Sequence, residues 1–151
     1  MKGVLNVVNR FIEIIKPKYI YLGLKDFQQL ILIDNHILTN KINTKIIKCK
    51  IIRHRNGVAC STRNFNLNNK EFKIASKVYK YLSNYKKKIK NDSNFFKLKP
   101  LKNDLINIGV NKIDYIENLD LNNLKKTKIL KKKNRIFIAY YINKIRLIDN
   151  I

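Results

Sequence analysis

Apolar side chains fall at positions 4, 7, 8, 11, 12 and 15 of the segment VLNVVNRFIEII, the three- and four-residue spacing of one helix face. Pro17 ends that helix, because it has no N–H to donate and restricts the residue before it. Tyr19 to Leu22 form a short run of strand character closed by Gly23, a second helical stretch covers about residues 26–38, and residues 44–52 (TKIIKCKII) read as another strand before the turn signal Arg55-Asn56-Gly57. Helix–strand–helix–strand is the alternation of a parallel α/β sheet. Two strands are too few to cover their helices. The pattern therefore predicts that the remaining strands come from elsewhere and that the chain opens in the middle of a domain.

Beyond the turn the pattern changes. Asn68 with Glu71 three residues later is a helix-start signature, and residues 70–86 carry apolar positions at 72, 75, 78, 79 and 82. The basic run Lys86 to Lys90 followed by Asn-Asp-Ser predicts an exposed connection over residues 87–94. A short helix is expected over 102–109 and strands over 112–117, about 127–130 and 135–142, the last (RIFIAYYI) being the strongest strand signal in the chain. The expected organisation is an α/β portion over residues 1–52 and a small α+β unit over 53–151.

Composition changes this picture little. The chain has 151 residues, 45% of them hydrophobic and 28% charged, which is enough to bury a core. The net charge of +23 ordinarily points to a polyanionic partner. Here the lysines are scattered among many Asn and Ile residues without aromatic–basic interleaving, so only weak, salt-sensitive sticking to nucleic acid is expected. Cys49 and Cys60 lack metal-type spacing and read as small buried hydrophobes in a reducing compartment, and His36 and His54 lack Cys or His neighbours for a zinc site. The longest apolar run, Ile136 to Ile142, is far too short to span a bilayer, and no signal-peptide core precedes Lys16 and Lys18, so a cytoplasmic location without membrane association is expected.

Two constellations can carry chemistry. Gly23-Leu24-Lys25-Asp26-Phe27-Gln28-Gln29 lies where a strand ends and a helix opens, the crevice in which open α/β sheets bind ligands. Gly23 permits close approach to the backbone, Lys25 offers a charge to phosphate, Asp26 can accept from ribose hydroxyls, and Gln29 shares the helix face three residues on. The competing reading makes Asp26 a helix cap and Lys25 a solvated surface charge. The second constellation, Ser61-Thr62-Arg63-Asn64, places two hydroxyls and a guanidinium in one loop able to close on a phosphate chain, though such loops are often ordinary turns.

Taken in order, Gly-x-Lys-Asp-x-Gln-Gln, the Asn-Gly turn with Ser-Thr-Arg-Asn, the opening GVLNVVNRFIEIIKPKYIYLG and the closing Arg146-Leu147-Ile148-Asp149-Asn150 resemble the C-terminal half of pantothenate synthetases over essentially the whole chain. The resemblance implies the C-terminal part of a Rossmann-like nucleotidyl-transferase domain followed by a small α+β lid. It implies ATP-dependent condensation of pantoate with β-alanine through a pantoyl adenylate, giving pantothenate, AMP and pyrophosphate, with Mg2+ accompanying ATP. By position, Gly23 and Asp26 would contact ribose, Lys25 phosphate, Gln29 pantoate and Ile52 adenine at the hinge, while Ser61, Thr62 and Arg63 would hold the triphosphate.

There are departures: Leu24 stands where the family usually has Glu, Thr62 where it has a second Ser, and Lys50 where a Pro precedes the hinge. The family's His-x-Gly-His motif, its first pantoate-binding Gln and its early acidic magnesium residues have no counterpart here. The resemblance is therefore compatible with a split enzyme working with a separately encoded N-terminal half, with or without the family's homodimer, and equally with an inactive remnant. A small basic RNA- or ribosome-associated module is the other reading, and it leaves the order of the motifs unexplained.

Overall fold

The computed structural model describes residues 2–92, 96–128 and 133–151. The chain divides into two compact units, Met1–Ile51 and Ile52–Ile151.

In the first unit, helix α1 (Lys2–Ile15) leads through Pro17 to strand β1 (Tyr19–Gly23), a 3-10 turn (Leu24–Asp26), helix α2 (Phe27–Thr39) and strand β2 (Lys45–Cys49). The two strands pair in parallel with Tyr19 opposite Lys45 and Gly23 opposite Cys49. Phe27, Leu30, Ile33 and Ile37 form the buried stripe of α2. Ile33 and Ile37 join Ile12 of α1 in a small core, against which Leu5, Val8, Ile20, Leu22 and Ile46 pack. The alternation of the strands thus turns Ile20, Leu22 and Ile46 toward the helices. Lys48, on that same face, pairs with Asp34 of α2 at 3.1 Å.

Only part of the α1 apolar pattern points into this core. Ile12 is buried, whereas Val4, Val7, Phe11, Ile14 and Ile15 are exposed, as are Tyr19, Tyr21 and Ile47 of the strands. The helix predicted from periodicity is present, but its apolar stripe is wide enough to have two sides, and this unit buries one. Strand β2 stops at Cys49, short of the expected 52, because β1 offers no partner beyond Gly23.

The second unit holds helix α3 (Asn69–Asp92), helix α4 (Leu98–Ile108) and strands β3 (Lys112–Asp120), β4 (Asn134–Ile142) and β5 (Ile145–Asn150), which form an antiparallel sheet in the order β3-β4-β5. Its core joins Ala75, Val78, Leu82 and Ile89 of α3 and Leu101 and Leu105 of α4 to Ile136, Ile138, Tyr140 and Ile142 of β4. Helix α3 therefore runs on through residues expected to form an exposed connection. Ile89 extends its buried stripe, and that burial outweighs the basic run beside it. Residues 93 and 94 of that expected connection lie outside the described residues. The strand expected over about 127–130 reduces, among described residues, to a bridge between Lys126 and Leu119, and residues 129 and 130 lie outside the description. Strand β5 is not among the strands expected from the sequence. It follows β4 through the two-residue turn Asn143-Lys144, in which Asn143 takes φ 51°, a left-handed conformation that Asn tolerates.

Both ends of the helices follow local rules. Asn68 Oδ1 accepts from the N–H groups of Lys70 (2.9 Å) and Glu71 (3.0 Å), and Glu71 Oε2 accepts from Asn68 N–H at 2.8 Å. This reciprocal cap is the one the sequence predicts. Asn68→Ala is expected to lower the stability of the second unit by about 1 kcal/mol, read as a shifted denaturant midpoint with unchanged slope. At the other extreme, α4 ends on Gly109 at φ 115°, where the N–H bonds back to Ile106 and Leu105 carbonyls.

Candidate functional site

The first candidate site lies at the C-terminal ends of the parallel strands, which the register brings level at Gly23 and Cys49. Gly23 has an ordinary extended backbone (φ −72°, ψ 134°), and a Cβ built there meets nothing within 4 Å. Neither backbone strain nor packing among the described residues demands glycine at this point. What remains is room for something external to approach the backbone.

Asp26 occupies the N-cap position of α2, yet its side chain accepts no cap hydrogen bond. The reading of Asp26 as a mere cap is therefore weakened, and its exposed carboxylate sits at a helix start beside Lys25. Lys25 and Gln29 are each partly exposed. Phe27 is buried next to them, and anchors the turn that carries Lys25 and Asp26. One turn thus places a cation, a carboxylate and a side-chain amide at the mouth of the sheet.

The second candidate site is built on a tight hairpin in the other unit. Cys60 N–H donates to Ile52 C=O at 2.9 Å, His54 N–H to Val58 C=O at 2.9 Å, and Gly57 N–H to His54 C=O at 2.8 Å. Gly57 turns the chain at φ 93°, and a Cβ there would lie 2.0 Å from Tyr79 Cδ1. Asn56 C=O accepts from Ser76 Oγ at 2.8 Å, which ties the turn to α3. The outgoing arm leads into a 3-10 turn (Thr62–Asn66), where Ser61 Oγ accepts from Arg63 N–H at 3.3 Å and Asn64 Nδ2 donates to Ala59 C=O at 3.0 Å. Thr62 and Arg63 stand exposed on this turn and Ser61 is half-buried at its start. Ile52, 75% exposed, opens the unit.

Spacing alone does not reveal the brace behind this loop. Arg53 makes a two-pronged ion pair with Asp149 (2.7 and 2.9 Å), and also donates to Gly57 C=O (3.0 Å) and Asn150 C=O (3.2 Å). Its guanidinium lies 4.3 Å from the ring centroid of Tyr79. Nearby, burial and the Asp149 charge hold the Tyr140 hydroxyl well above its usual range, and burial together with the Arg53 charge lowers the Arg135 pKa.

The cysteines differ from expectation: Cys60 is exposed on the hairpin arm and Cys49 is half-buried at the open end of the sheet, and both are reduced. Among the described residues no group of three His, Cys, Asp or Glu side chains converges as a metal site requires. No helix among them is long and apolar enough to cross a membrane.

The fold is mixed α/β. It is similar to the crystal structure of pantothenate synthetase from Thermus thermophilus, at 24% identity and a TM-score of 0.88, covering 99% of this chain and 54% of that one. Residues 1–151 match the family described as Pantoate-beta-alanine ligase, and the chain belongs to that family. The pantothenate synthetase of Francisella tularensis subsp. mediasiatica (strain FSC147) is 38% identical over 148 residues, 98% of this chain and 48% of that protein. A crystal structure of pantoate-beta-alanine ligase from Francisella tularensis, complexed with beta-gamma ATP and beta-alanine, matches at 38% identity and a TM-score of 0.76, covering 99% of this chain and 49% of that one. The chain spans about half the length of the curated relatives it matches, and corresponds to their C-terminal half.

Proposed function

We propose that this chain supplies the ribose- and phosphate-handling half of an ATP-dependent ligase that joins pantoate to β-alanine, and that it acts together with the N-terminal half of the family fold. The observation that carries this reading is the family match over all 151 residues. The cation–carboxylate–amide turn at the strand ends supports it. In the reaction a pantoate carboxylate oxygen attacks the α-phosphorus of ATP and pyrophosphate leaves. The β-alanine amine then attacks the acyl carbon of the adenylate, and AMP leaves. Such chemistry depends on positioning and on neutralising phosphate charge more than on covalent help from the protein. Gly23 and Asp26 take the ribose, Lys25 a phosphate oxygen, Gln29 pantoate and Ile52 the adenine edge through its backbone. Ser61, Thr62 and Arg63 hold the triphosphate. No residue of this chain is assigned to Mg2+, which would come with ATP, and no step is routed through it.

The need for the other half of the fold rests on the first unit. A parallel sheet is stable when both faces are covered, and here Tyr19, Tyr21 and Ile47 leave one face bare. Helix α1 adds Val4, Val7, Phe11 and Ile14 as a second apolar stripe on its outer side. Phe11→Asp is expected to leave the second unit folded and weaken binding to the N-terminal half of a family member by about 30-fold or more, measured by calorimetry.

The deciding assay is pantoate-dependent AMP formation from ATP and β-alanine, by this chain alone and mixed with such a half. Activity in the mixture only supports the reading. No activity in a mixture shown to be folded and associated overturns it in favour of an inactive remnant.

A further inference from the structure

The closing strand explains why a loop in the middle of the chain holds its shape. The register sets Asp149 opposite Ile138 and Leu147 opposite Tyr140, all on the sheet face that α3 covers. At this covered end of β5, Asp149 meets Arg53, 96 residues earlier in sequence, with side chains only 11% and 19% exposed. Both carboxylate oxygens of Asp149 are engaged by Arg53, and Oδ1 also accepts from Asn150 N–H at 2.8 Å. The same guanidinium bonds Gly57 C=O, at the tip of the hairpin whose far arm carries Ser61, Thr62 and Arg63. Arg53 and Ala59 form the bridge that closes that hairpin, and Ala59 C=O accepts from Asn64 within the 3-10 turn. A continuous chain of bonds therefore runs from β5 through Arg53 and the hairpin to the Arg63 turn.

A pair so little exposed is poor at adding net stability, because desolvation of both charges offsets much of their attraction. Its geometry is what it supplies: two parallel bonds fix the direction of the guanidinium, and the Tyr79 ring fixes its plane. Arg53 is occupied by these partners, whereas Arg63 stands exposed ten residues on. The two arginines of this loop thus have different tasks, one internal and one outward.

We propose that Arg53 and Asp149 are positioning residues that lock the Ser61–Thr62–Arg63 turn in the form that binds a polyphosphate chain. The ligand class rests on the function proposed above; the coupling of β5 to the turn rests on geometry alone. Two measurements on the full chain separate these. Hydrogen exchange is read at Cys60, Arg63 and Asn64 N–H in Asp149→Asn, with α3 amides as the internal reference. Exchange at the turn is expected to rise about tenfold or more relative to α3, since an unpaired buried guanidinium releases the hairpin. Asp149→Glu is expected to recover most of this protection. Unchanged exchange at the turn overturns the coupling.

Titration with inorganic tripolyphosphate at about 0.15 M salt, where surface charge is screened, reads the ligand. Arg63→Ala and Asp149→Asn are each expected to weaken binding about tenfold or more, while Lys73→Ala, an exposed charge on α3, leaves it within about twofold. Tight binding by Asp149→Asn alongside loss in Arg63→Ala overturns the positioning role. Binding equally indifferent to Arg63 and Lys73 overturns the polyphosphate reading itself.

Discussion

Lys25→Ala is expected to lower the rate of pantoyl-adenylate formation by about 100- to 1000-fold in the reconstituted ligase, the range observed when one preorganised charge or donor is removed from a developing oxyanion. The residue sits in the turn between β1 and α2, where Phe27 is buried and the N–H groups of the first helical turn lie alongside. A phosphate there meets the Lys25 charge and the positive end of the helix together. The step to measure is a single turnover of ATP and pantoate without β-alanine, so that later steps do not mask it. Gln29→Ala is the contrast: a residue that binds pantoate alike in ground and transition states raises its KM and leaves kcat nearly unchanged. A Lys25→Ala enzyme within about threefold of wild type would remove Lys25 from the phosphate site and return it to the surface, since a real charge loss at a reacting phosphate costs far more. Arg is not an equivalent replacement, because its planar fork needs a different approach to the same oxygen.

Gly57→Ala is expected to destabilise the second unit by about 3 kcal/mol, the sum of a left-handed backbone strain and the overpacking of a Cβ placed against the edge of the Tyr79 ring. The backbone is at φ 93° and the added carbon would meet Tyr79 Cδ1 at 2.0 Å and Cε1 at 2.3 Å, so the ring must move. That ring also lies over Arg53, so its displacement disturbs the ion pair with Asp149. For a unit of this size the melting temperature should fall by roughly 10–15 °C. Calorimetry of the isolated chain checks this. A fall of less than about 3 °C would mean that the hairpin tip shifts freely, contrary to its bonds with Ser76 and Arg53.

Local signals carry much of this molecule. Periodicity places α1, α2 and α3, the Asn68–Glu71 pair announces its cap, Gly57 its turn, and RIFIAYYI the central strand β4. The position of Gly23, Lys25, Asp26 and Gln29 where β1 ends and α2 opens is legible because a strand end, a glycine and a helix start lie within seven consecutive residues. These features depend on neighbours within one turn or one strand, where steric and hydrogen-bond rules act without reference to the rest of the chain.

What tertiary structure decided involves distant partners. Periodicity marks a helix as apolar but does not tell which of two apolar sides is covered, so α1 keeps Phe11 and Ile14 outside while Ile12 goes in. The basic run near Lys88 suggests a loop, whereas Ile89 is buried in the core of the second unit and α3 runs on to Asp92. Residue type alone would put Cys60 inside, yet it stands exposed on the hairpin arm. Above all, Arg53 and Asp149 carry no mutual signal across 96 residues of sequence. A pairing of that kind exists once β5 has docked beside β4 and α3 has set Tyr79 beneath the hairpin, because the energy of a buried charge is fixed by whatever surrounds it in space.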